Sequence, residues 1–176
     1  MTNLRFRFCS ITIATILVLT VTTCAQTAKT KMPKEELDAL MNSVLAFAQQ
    51  MLSVHGEFFP FGGVMTTKGE IISIGASDGG ENPPSQRLID LMTESFQAKA
   101  KSGEYRATAI VFDVRVTVPS TGKKSDAVEI RLDHVDRMSI EVLFPYEIDS
   151  KGKIIYGEMF AQKGASIIFT KSKGGH

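Results

Sequence analysis

Only two cysteines and no tryptophan occur in the 176 residues. Cys9 and Cys24 both fall within the first 25 positions, so a domain built from the remainder has no thiol. That excludes a disulfide, a Cys nucleophile and a zinc–thiolate centre. Histidine is nearly as scarce, with His55, His134 and His176, and no HExxH run occurs. An excess of one charge is missing too: 20 basic residues stand against 19 acids, a formal net of +1. No basic field therefore points to nucleic acid, and no acidic tail to a solvating role. The glycine pairs at 62–63, 79–80 and 174–175 lack phosphate-loop spacing. No cofactor and no metal set is implied.

The sequence speaks most specifically at its N-terminus. MTNLRFRF carries Arg5 and Arg7 without an acid, and CSITIATILVLTVTT then runs apolar and Thr-rich, with no charge before Lys29. A basic start, a short apolar run and small residues after it describe a secretory signal peptide over residues 1–25. Its strongly apolar part, Ile11 to Val21, is shorter than the roughly 20 residues of a membrane span. Thr23-Cys24-Ala25 fits cleavage after Ala25. Cys24 also stands where a lipoprotein signal places its lipidated residue, although Thr23 departs from the Gly, Ala or Ser usual before that cysteine. The expectation is simple export, periplasmic or extracellular, with membrane anchoring through Cys24 as the alternative. Loss of Arg5 and Arg7 takes the formal charge from +1 to −1.

Residues 26–32 read as a tether, 33–170 as one α+β domain and 171–176 as a disordered tail. Pro33 suits the first position of a helix, with Glu35 and Glu36 in its positive first turn. Apolar residues from Leu37 to Leu52 recur at three and four, and Gly56 is a natural stop. Runs at Phe58–Thr66 and Ile71–Ala76 around Lys68-Gly69 predict a hairpin. In it Pro60 belongs at the strand start, and Gly62-Gly63 leaves a side-chain gap where a helix can approach. Asn82-Pro83 opens a second helix that ends at Gly103. Three alternating runs follow, Tyr105–Val118, Asp126–Asp136 and Met138–Ile148, with a strand or two more in Ile154–Phe169. Their alternation predicts antiparallel strands with one buried and one wet face. Ile110, Phe112 and Val114 are assigned inward and Val111, Asp113 and Arg115 outward.

The order α-β-β-α-β-β-β predicts a two-layer domain, an antiparallel sheet of about five strands covered by two amphipathic helices. It resembles the profilin and Roadblock architecture in topology alone; a cystatin-like or NTF2-like arrangement is the alternative. HGEFFPFGGV, IVFDVRV and SIEVLFPYEI are also similar to a group of small bacterial proteins with no assigned function. These share an E-F-x-P-F strand, a D-V-R-V strand and an F-P-Y segment. That resemblance covers most of the mature chain and implies no mechanism.

Candidate functional residues fall into three sets. His134 lies between Asp133 and Asp136 and continues the Val128, Ile130, Leu132 face, at the rim of the core. It is the one candidate catalytic centre, with either acid as partner. His55 and Glu57 flank the helix stop, where a histidine suits the negative helix end. Asp113, Arg115, Glu129, Arg131, Asp133 and Glu141 are expected on the outward sheet face as a mixed-charge ladder, a recognition surface for a protein or small molecule. The Gly75–Pro84 loop is a further candidate pocket rim. A non-catalytic binding or interaction domain is the favoured function, a small enzyme using His134 the alternative, and an edge-strand homodimer a third option. Mass spectrometry of the mature chain should find Gln26 at its N-terminus, and Cys24→Ser should leave its fractionation unchanged. A lipid-modified Cys24, with membrane association lost in Cys24→Ser, would reverse the expectation.

Overall fold

The computed structural model describes residues 32–170; the signal segment with Cys24, nearly all of the tether, and His176 lie outside the described residues. Helix α1 spans Pro33–His55, with Pro33 at its first position. Its first turn is closed by Glu35, whose Oε2 accepts the Met32 N–H at 3.3 Å. Gly56 ends it with φ +75° and its N–H on the Leu52 carbonyl, a left-handed cap that costs glycine little. Strands β1 (Phe61–Thr66) and β2 (Ile71–Gly75) form the hairpin, and α2 covers Ser85–Lys101. Strands β3 (Tyr105–Thr117), β4 (Lys124–His134), β5 (Ser139–Ile148), β6 (Ile154–Tyr156) and β7 (Phe160–Lys163) complete the domain. The class is α+β, as the pattern predicts, with seven strands where about five were expected. The second helix starts at Ser85, behind Pro84 and without a side-chain cap, so Asn82 is loop.

All strand pairs are antiparallel, in the order β2-β1-β3-β4-β5-β6, with β7 also on β5. The layering is finer than the alternation suggested, because the two helices cover opposite faces. Ala107, Ala109 and Val111 of β3 pack with Leu37, Leu40, Val44 and Leu52 of α1. Ile110 and Phe112 pack instead with Ile89, Met92 and Phe96 of α2. Residues 107–112 of β3 are thus buried on both sides, and Val111, assigned to the wet face, is fully buried.

At the centre of this arrangement β1 has no side chains for two residues. A methyl group on Gly62 would stand 2.7 Å from the Phe96 ring of α2, and one on Gly63 2.5 Å from Val44 of α1. Both distances are shorter than carbon atoms tolerate, so the helices pack as close as they do only against bare backbone. Pro60 immediately precedes β1, where it forfeits no ladder bond, while Phe61 is core and Phe59 stands 55 % exposed. Overpacking a filled core costs about 1–3 kcal/mol. Gly63→Ala should therefore lower unfolding free energy by about that much, and Gly63→Val by more, in urea denaturation with an unchanged slope.

Candidate functional site

His134 ends β4 on the α1 side and is 0 % exposed. Its Nε2 lies 2.9 Å from Glu36 Oε2, and its Nδ1 accepts the Asp136 backbone N–H at 3.0 Å. A backbone N–H only donates, so Nδ1 carries no proton and Nε2–H donates to the Glu36 carboxylate. Glu36, 3 % exposed, also faces Arg106, whose Nε is 2.8 Å from the same oxygen. That Nε–H is not aimed along this line and makes no hydrogen bond, so the contact is one of charge. The Asp136 carboxylate reaches no closer than 3.6 Å to the ring. The result is a buried knot tying the first turn of α1 to the β4–β5 turn. Glu36, which the sequence offered as a helix-start charge, does this second job from 98 residues away.

Asp133 points to the other face. Its Oδ1 accepts from Ser166 Oγ at 3.0 Å and its Oδ2 from the Ile168 N–H at 2.8 Å. Residues 164–170 form a strap over the α2 face, which Gln97 of α2 also grips by donating to the Ile167 carbonyl. Asp133 is therefore a fastener of this strap, and its carboxylate is not a partner of the His134 ring. Burial pushes its carboxyl above the ordinary aspartate value of 3.8, opposed by the Ile168 and Ser166 hydrogen bonds.

The expected charge ladder divides between the faces. The register sets Asp113 opposite Val128 and Ile110 opposite Arg131, and opposed residues share a face. Asp113 and Arg115 therefore belong to the α1 side. There Tyr146 donates to Asp113 at 3.0 Å and Arg115 to Asp126 at 2.8 Å. Burial, with the Asp113 charge behind it, raises the Tyr146 hydroxyl well above its usual value, so it stays a donor.

Glu129, Arg131, Asp133 and Glu141 occupy the α2 side. One cross-strand row reads Ile110–Arg131–Glu141–Gln162, and the next Thr108–Asp133–Ser139. Arg131 Nε lies 2.7 Å from Glu129 and 4.0 Å from Glu141, with its guanidinium 4.6 Å above the Phe112 ring. Gln162 donates to Glu141 at 2.7 Å. Between these rows and the strap lies a cavity of about 100 Å³, lined by Thr108, Arg131, Asp133, Glu141, Ile110 and Ile167 among others.

The remaining candidates are dispersed. His55 and Glu57 are exposed beside the α1 stop. Gly75, Ala76 and Ser77 do rim a hollow, of about 210 Å³, against Leu91, Met92, Ser95 and Phe96. This loop also spells G-x-S-x-G over Gly75–Gly79. It is no nucleophile elbow, which needs a sharp strand-to-helix turn. Here α2 waits until Ser85, Ser77 Oγ accepts the Gly79 N–H, and no histidine lines the hollow. Among the described residues no three His, Cys, Asp or Glu side chains converge on a metal position. Comparison with protein-family models, characterised proteins and solved structures finds no match to the chain.

A carboxyl whose folded pKa is raised binds more protons folded than unfolded, so its contribution falls as pH rises past the unfolded value. Wild type should thus lose stability relative to Asp133→Asn as pH climbs from about 3.8 toward neutrality, read from paired denaturation curves at several pH values.

Proposed function

We propose that the chain is an exported, non-catalytic binding domain whose contact surface is the α2-side cleft around Arg131. The observation that carries this reading is the cavity under the strap, where a guanidinium, two further carboxylates and a hydroxyl row meet an apolar wall of Ile110 and Ile167. Apolar walls with a few convergent polar groups are the usual form of a small-ligand site. Arg131 is held in place on Phe112 and Glu129, which lowers the ordering cost of recruiting it for a ligand. Its size suits a small polar molecule or one side chain of a protein partner. With Asp133 and Glu141 in the lining against a single arginine that already pairs with Glu129, the cavity favours a ligand bearing a cationic or amide donor.

The enzyme alternative needs His134 to reach a substrate. Its full burial and the commitment of both ring nitrogens support a structural role instead. A thermal-shift screen with amino acids, amino-acid amides and short peptides tests both readings. A ligand at 100 times its dissociation constant stabilises by about 2.7 kcal/mol. Compounds that stabilise the wild type should lose most of that effect with Arg131→Ala or Glu141→Gln, and keep it with Arg115→Ala. Turnover of an ester, amide or phosphate substrate that disappears with His134→Gln would overturn the reading.

A further inference from the structure

We infer that β2 seats a homodimer, by antiparallel pairing of Ile71–Gly75 with the same strand of a second copy about a two-fold axis through Ser73. Strand β2 is the end of the sheet, and no described residue pairs with its outer side. The hydrogen bond from the Thr66 N–H to the Glu70 carbonyl fixes the alternation along the hairpin. Ile72 and Ile74 turn their backbone groups to β1, and Ile71, Ser73 and Gly75 turn theirs outward as an open row of donors and acceptors. Exposed edges are ordinarily blunted by charge, proline or a bulge within the strand. IISIG has none of these, and its Ile71 and Ile72 side chains are 36 % and 45 % exposed.

The strand is self-complementary about its own midpoint, as a two-fold interface requires. With Ser73 on the axis, Ile71 faces Gly75 of the second copy, and Ile72 faces Ile74. The α1 face offers a receptacle for the larger residue of the first pair. Space above Gly75 is empty to 4 Å. Gly75 pairs with Phe61, and Phe47 of α1 stacks edge-on against that ring at 4.8 Å while leaving 41 % of its own surface exposed. Ile71 of the second copy would enter that gap and cover the free side of Phe47. On the opposite face Ile72 would meet Ile74, which already leans on the α2 core.

A strand of five residues makes a small interface, so association should depend on concentration. Sedimentation equilibrium of the full purified chain over a wide concentration range reads this directly. The expected result is a monomer–dimer equilibrium, weakened at least on the order of tenfold by Ile72→Lys, which loses apolar contact on both sides of the axis. Ser73→Pro removes an outward N–H that the hairpin does not use and should act in the same direction. Circular dichroism of both variants should match the wild type, which separates a lost interface from a lost fold. A monomeric mass at the highest concentration reached, or a dimer undiminished in both folded variants, overturns the proposal.

Discussion

Two adjacent glycines in β1 set the distance at which everything else is built. With side chains at Gly62 and Gly63, neither helix could lie where it does, because Phe96 and Val44 occupy the space of the missing groups from opposite sides. The close approach places α1 over Ala107, Ala109 and Val111 and α2 over Ile110 and Phe112, so a single short strand and its neighbour anchor both cores. Small residues recur on the α1 side for the same reason: Ala107 and Ala109 are both fully buried. Interiors are packed to crystal-like density, and here that density rests on backbone in contact with side chain.

The unequal reach of the two helices follows. Helix α1 crosses β1, β3 and β4, and the Glu36–His134–Arg106 knot pins its start to the far end of β4. Helix α2 packs on β1 and β3 and leaves β4 and β5 to the strap of residues 164–170. A strap held by one carboxylate, one glutamine and Ile168 fills less than a helix would. The cavity beside Arg131 is what remains. Buried charge is therefore structural on the α1 side, whereas on the α2 side it borders open volume.

Much of this was legible in the sequence, and the illegible parts share a cause. The period of three and four made α1 plain, the Lys68-Gly69 turn made the hairpin plain, and Gly62-Gly63 announced a close approach. What local pattern cannot supply is which distant element covers a residue. Strand β3 runs Ala107-Thr108-Ala109-Ile110-Val111-Phe112 before it reaches Asp113 and Arg115, so its charged second half suggested a wet face that its first half does not have. The split of the charge ladder is a matter of register: Asp113 lies opposite Val128, not opposite a charge. Alternation correctly set His134 on the core side, but nothing near it names Glu36. The strap carries no period at all, and Asp133 declares itself a fastener only once Ser166 and Ile168 arrive.

His134, the residue best suited by type to chemistry, is instead a buried structural link. Long-range ¹⁵N–¹H correlation of the histidine rings tests it most directly. The His134 ring should carry its hydrogen at Nε2 alone, protected from solvent exchange by its bond to Glu36. A ring protonated at Nδ1, or a rapidly exchanging hydrogen open to solvent, would contradict it.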